Sequence, residues 1–267
     1  MNASLRRIQA LWLRYALLHR RSLVRAFDIV FWPVLDLLVW SFVTRYLQQV
    51  IPPTRPKVAL FFIGALIGWD IHYRGQQAVT ISLMEEIWTR NLVNLLIAPV
   101  RLWEWVCASF LYGATKILLV ATLLSIIAKL LVSFDVLAIS GAFIPLAASL
   151  LFFGWSIGLV TAGILLRYGY AAEALIWGIP FLLQPFSCVF YPVHSLPAWA
   201  RPIALALPTT HAFEALRVAM RGEAVQASSW LWIVGLNAVY FALALALFVR
   251  MFRRARMGGH LGRLGQD

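Results

Sequence analysis

Apolar positions run along this chain in blocks of membrane-crossing length, set apart by short stretches where charge or proline collects. An α-helix rises 1.5 Å per residue, so about 20 apolar residues cross the ~30 Å hydrocarbon core. Runs of that kind fall at 28–47, 58–78, 105–128, 136–166, 171–191 and 229–250. The fourth is long enough to tilt or to hold two pieces. The pattern predicts an all-α, polytopic membrane protein with six transmembrane helices in one domain, 1–267. Within it, 1–27 reads as a cytoplasmic amphipathic helix, 28–250 as the six spans and 251–267 as a basic cytoplasmic tail.

Three segments show helical signals without crossing length. In LRRIQALWLRYALLHRRSLVRAFD, Ile8, Leu11, Trp12, Tyr15 and Leu18 recur at helical spacing, while Arg7, Arg14, Arg21 and Arg25 share another face. That pattern suits an interfacial helix lying among inner-leaflet headgroups, or an ordinary solvated basic face; both place it in the cytoplasm. In SLMEEIWTRNLVNLLIAPVR, residues 82–101, Ser82 and Glu85 have capping-box spacing, Glu86 and Arg90 form an i,i+4 pair, and Pro99 sets the end. This is more than a turn between two spans needs, so the segment is either a plain interfacial helix or a docking helix for a cytoplasmic partner.

The third is FYPVHSLPAWARPIALALPTTHAFEALR, residues 190–217. Pro180 and Pro185 loosen the fifth span, and Pro192, Pro197, Pro202 and Pro208 cut the adjoining stretch into pieces too short to cross, with Ser195 and Thr209 or Thr210 as N-cap candidates. The expected form is a broken re-entrant helical hairpin between spans five and six, with Trp199 at the interface and Glu214, Arg217 and Arg221 near water. Pro192, Pro197, Trp199, Pro208, Glu214 and Arg217 are the candidate outer gate.

Composition strengthens the membrane reading: 62% of residues are hydrophobic and 13% charged, too apolar for one water-soluble core. A net charge of +12 suggests nucleic acid in a soluble domain, but six arginines precede residue 28 and five follow residue 249, flanking apolar spans. They mark a membrane surface and no nucleic-acid partner. With both termini inside, the cytoplasmic segments collect fifteen basic residues against seven outside, which favours cytoplasmic termini. The first 28 residues have no apolar stretch of signal-peptide type, so the N-terminus is expected to be retained.

Candidate chemistry is sparse. Cys107 and Cys188 fall in predicted apolar helices and read as small core residues; with His194 and His211 they supply no metal set. The chain carries no G-x-x-x-x-G-K-[ST] phosphate loop, no H-E-x-x-H and no G-x-S-x-G, so neither nucleotide hydrolysis nor another catalytic activity is expected of it alone. Asp36, Asp70 and Lys116 lie at similar depth within spans, where ionisable groups are costly unless paired or facing water. An Asp70–Lys116 or Asp36–Lys116 pair is expected, in a structural role or on a transport path. GALIG at 64–68 and GWSIG at 154–158 have small-xxx-small spacing, which suits close packing within the chain better than a dimer contact.

Six spans with cytoplasmic termini, the segment NLLIAPVRLWEW at 94–105 and the proline block together resemble the type 2 permeases of ATP-binding-cassette (ABC) exporters. That family's signature sets F-x-P-x-x-x-L-P before P-x-T-x-x-x-E-A-x-R. Here Phe190, Pro192, Leu196 and Pro197 match the first element, and Pro208, Thr210, Glu214, Ala215 and Arg217 the second. The resemblance implies a permease that pairs with itself or a related permease and with two copies of a cytoplasmic nucleotide-binding ATPase subunit. ATP and Mg would be bound on that subunit and no cofactor by this chain. It implies ATPase-coupling contacts at Glu85, Glu86, Arg90 and Asn91, outward transport of an amphiphilic, lipid-linked or saccharide-type substrate, and a bacterial inner-membrane location. Two other classes stay open: a proton-coupled secondary transporter using Asp36, Asp70 and Lys116, and a membrane enzyme with Glu214 or His211 acting on lipid-linked substrates.

Overall fold

The computed structural model describes residues 3–50, 56–134 and 141–257. Among them are ten α-helices: α1 (Ala3–Arg20), α2 (Leu23–Val50), α3 (Pro56–Trp88), α4 (Leu92–Ile97), α5 (Leu102–Val132), α6 (Phe143–Tyr168), α7 (Glu173–Leu183), α8 (Arg201–Leu205), α9 (Pro208–Met220) and α10 (Ala227–Met257). The all-helical expectation holds among these residues. Four segments, Ile29–Leu47, Leu102–Val132, Phe143–Tyr168 and Ala227–Met257, are long and apolar enough to cross a membrane. The 33-residue α3 interrupts its apolar run with Asp70, His72, Arg74 and Gln76, and the 11 residues of α7 are about half of what a crossing needs.

Several boundaries differ from the sequence expectation. Ser82 does not cap a new helix; it lies inside α3, its hydroxyl donating to the Ala78 carbonyl at 2.7 Å. The helix runs on because Val79, Leu83, Met84 and Ile87 keep one buried stripe going. The break comes after Trp88, at Arg90 with φ 53°, before the short α4. Ser195 and the two threonines do not cap either: α8 and α9 are preceded by Ala200 and Leu207, and Thr209 and Thr210 lie inside α9. Cys188 lies in a turn with φ 52° and is buried, while Cys107 is exposed on α5. The fourth apolar run becomes α6 from Phe143 onward; its start at 136–140 and the tail beyond 257 lie outside the described residues.

The core divides along the helix axes. One apolar cluster joins the first half of α3, the second half of α5, the start of α6, and α9. The other joins α1, the second half of α3, the first half of α5 and the last turns of α6 and α10. Because α3, α6 and α10 run in one direction and α5 in the other, α1 and the end of α10 meet at one end of the bundle and the proline-rich segment lies at the other. Between the clusters runs a buried polar band. The Gln76 amide donates to Thr161 Oγ1 at 3.3 Å and to the Ile176 carbonyl at 3.2 Å, and the Thr80 and Thr161 hydroxyls are 2.6 Å apart.

That band exists because α3 and α6 touch backbone to backbone. A methyl added at Gly154 would run into the His72 carbonyl oxygen, and one at Gly158 would lie 2.7 Å from the Gln76 carbonyl oxygen. Gly64 and Gly68 of the other small-residue motif face Phe134, Met220, Leu150 and Phe213. Both motifs therefore pack inside the chain, where close approach supplies the dispersion that lipid cannot outcompete.

Candidate functional site

At the α1 end, an amphipathic helix is tied to the bundle by buried polar contacts. The Arg7 guanidinium reaches Glu104 in a fork, Nε to Oε2 at 2.9 Å and Nη2 to Oε1 at 2.8 Å. Glu104 also accepts the Arg101 backbone N–H at 2.8 Å, closing the first turn of α5. One heptad on, Arg14 Nη1 lies 2.6 Å from Glu86 Oε1, which also accepts the Tyr15 hydroxyl at 3.1 Å. Trp105 Nε1 donates to the Tyr15 oxygen at 2.8 Å, and Asn91 Nδ2 donates to Glu86 Oε2 at 2.7 Å. His19 Nε2 is 3.5 Å from Glu85 Oε1. Tyr15, Glu86 and Glu104 are fully buried. Hydrogen bonding to Glu104 raises the Arg7 guanidinium above its ordinary pKa, and burial, then the Glu86 charge, pushes the Tyr15 phenol well up.

This changes the roles open to the residues picked from sequence. Glu85 and Glu86 lie under α1 and face inward, and Glu86 is held by Arg14 and not by Arg90. Only Arg90 of the four is exposed; Asn91 is half-buried. The outward surface at the α3–α4–α5 break is formed by Arg90, Trp88, Ile97 and Trp103, with Ile97 78% exposed. Sequence reasoning placed Arg7, Arg14 and Tyr15 on the amphipathic helix but missed their partners and gave Glu104 and Trp105 no role here. The heptad spacing of Arg7 and Arg14 was visible, but the groups that α1 meets lie some 70 to 100 positions away.

Midway along the bundle, Asp70 takes both of its close contacts from Arg74 Nε one turn on, at 2.8 and 3.0 Å. Its partner is therefore Arg74 on the same helix, in place of the Lys116 expected from the sequence. Lys116 lies elsewhere, with its ammonium 4.8 Å from the Tyr112 ring centre. Asp36, Asp70 and Arg74 line one groove of about 320 Å³, walled by Trp32, Trp40 and Tyr73.

At the far end, the proline-rich segment is cross-laced. Arg217 Nη2 donates to the Cys188 carbonyl and, at 2.6 Å, to the Tyr191 carbonyl, while Nη1 lies 3.3 Å from Glu214. Glu214 Oε1 accepts the Val193 backbone N–H at 2.7 Å. Thr210 donates to the Phe186 carbonyl at 3.0 Å and Thr209 to Ser187 Oγ at 2.9 Å. Arg217 thus faces inward, its side chain 12% exposed and not toward water as the sequence suggested, whereas the Glu214 side chain stays 34% exposed and Arg221 is exposed and paired with Glu223 at 2.7 Å. Trp199 is exposed, Pro208 is buried, and Pro192 and Pro197 bracket the 3-10 turn at 193–195. His211 bonds the Leu205 carbonyl at 2.9 Å, a turn-stabilising contact.

Arg217→Lys should therefore be far from silent. A lysine cannot reach two carbonyls and a carboxylate with one planar fork, and the orphaned buried carbonyls cost about 1–3 kcal/mol. A lowered thermal midpoint in detergent is the expected outcome; an unchanged one would show that the lacing carries no stability.

An all-helical bundle with four apolar helices of crossing length among its described residues defines a multi-pass membrane protein. The sequence profile of the ABC-2 type transporter family matches residues 7–220, more than half of the chain. The chain belongs to that family, the permease subunits of type 2 ABC transporters, which work with a cytoplasmic ATP-binding subunit. No curated protein matches the chain significantly.

Proposed function

We propose that this chain is the permease of an ABC exporter of the bacterial inner membrane. Its six crossings would leave both termini cytoplasmic, with α2, α3, α5, α6, the α7 segment and α10 as the spans. The 190–221 segment would form a re-entrant outer hairpin, and two copies, or one with a related permease, would bind two ATPase subunits that carry ATP and Mg. The substrate would be amphiphilic, lipid-linked or saccharide-type and move outward.

The observation that carries this reading is the α1 junction. A guanidinium fork from Arg7 to buried Glu104 and a single Arg14 contact to buried Glu86 tie α1 to the ends of α5 and α3 beside the exposed break at residues 88–103. A partner that pushes on Arg90, Ile97 and Trp103 would move three helices as one rigid body. Glu85 and Glu86 would serve as the inner braces of that lever and Asn91 as its hinge-side tie, leaving Arg90 as the charged contact.

The test is purification from the native host with an ATPase assay. Wild type is expected to bring a nucleotide-binding subunit with it, and Arg90→Glu combined with Ile97→Asp to lose both subunit and hydrolysis. Transport in vesicles driven by a pH gradient without nucleotide would overturn the reading in favour of a proton-coupled carrier.

A further inference from the structure

We propose that the midline groove is a binding site for an amphiphilic organic cation, and that the Asp36 carboxylate is its counter-charge; this rests on the permease reading and names the substrate class. The three charged side chains lining the groove leave one carboxylate in excess, because Arg74 is already committed to Asp70 through two contacts of 2.8 and 3.0 Å. Asp36 makes no hydrogen bond or ion pair with another described residue. It lies seven residues inside the Ile29–Leu47 span, about 10 Å along the helix. Asp36 is exposed to the groove and feels the Arg74 charge, but that one guanidinium serves two carboxylates, and a net negative charge at that depth is costly unless a cation or water meets it.

The walls select which cation. Trp40 stacks on Phe190 with centroids 4.6 Å apart and on Phe62 at 5.7 Å, so its ring is fixed before anything binds. Trp32, 57% exposed, and Tyr73 complete an aromatic surface around the acid. Aromatic faces attract a positive centre through their quadrupole and accept its apolar body at the same time. A small hydrated ion would gain little from such walls, and an anion would meet net negative charge. At about 320 Å³ the groove suits the head of a small amphiphile.

The experiment uses the chain with its ATPase subunit in nanodiscs and two probes of equal shape and opposite charge, tetraphenylphosphonium and tetraphenylborate. Wild type is expected to bind tetraphenylphosphonium saturably, with quenching of tryptophan fluorescence, and to take up tetraphenylborate only as lipid does. Asp36→Asn should weaken the phosphonium by about tenfold or more, while Asp36→Glu stays within about threefold. Equal binding of both probes, or an Asp36→Asn variant that binds like wild type, overturns the proposal. Should Asp36→Asn fail to fold, discrimination between the two probes by wild type decides alone. Loss of the ATPase subunit or of hydrolysis in the wild-type preparation would count against the exporter reading, whereas the binding arm would still report on the groove.

Discussion

Glu86→Ala is expected to uncouple the α1 lever and to cost the protein about 2–3 kcal/mol, somewhat below the range for breaking a fully buried ion pair because Arg14 can turn toward water. The Arg14 side chain is 33% exposed, but Tyr15 is not, and its hydroxyl would keep the Trp105 bond while losing its own acceptor. Asn91 would lose its hold at the same time, freeing the turn that leads into α4. Three elements meet on one carboxylate, so the effects of Arg14→Ala, Tyr15→Phe and Glu86→Ala should fall well short of additivity in a double-mutant cycle. The readout is the thermal midpoint together with substrate-stimulated ATP hydrolysis of the complex. Independent, additive losses would show that the junction is not a unit.

Gly154→Ala is expected to be as damaging, though it adds one carbon. The new methyl meets a backbone carbonyl of α3 and not a side chain that can swing aside, so the helices must separate. Overpacking of this kind costs about 1–3 kcal/mol. Separation also stretches the Gln76–Thr161 and Thr80–Thr161 bonds of the polar band. The control is Gly235→Ala, where nothing lies within 4 Å of the added carbon and the helix gains propensity. A large drop in thermal midpoint for the first and none for the second is the expected pair of results; equal melting would mean that α3 and α6 are not in backbone contact.

The candidate site was partly legible. The Asp36, Asp70 and Lys116 trio stood out because charge in an apolar run needs a reason, yet the partner of Asp70 is Arg74, one turn away on the same helix. Periodicity placed Arg7 and Arg14 on one stripe and suggested headgroups; Glu104 and Glu86 claim them instead. The signature block marked Glu214 and Arg217, and the contacts show why those residue types stand there: one accepts a backbone N–H, the other donates to carbonyls that the prolines leave without helical donors.

By itself, the sequence determined that this is an all-helical membrane protein, where its apolar runs lie, and that its family is that of the type 2 permeases. The first two depend on composition and on the cost of burying an unpaired backbone in lipid, both local properties of a run, while the family followed from the resemblance of the proline block and of residues 94–105. Tertiary structure decided where α3 ends, which carboxylates face inward, which arginine each one meets, and that the glycine motifs serve α3 and α6 within one chain. Each of these is set by side chains far apart in sequence and close in space, and in a membrane packing and charge pairing choose among helix arrangements that hydrophobicity leaves equal.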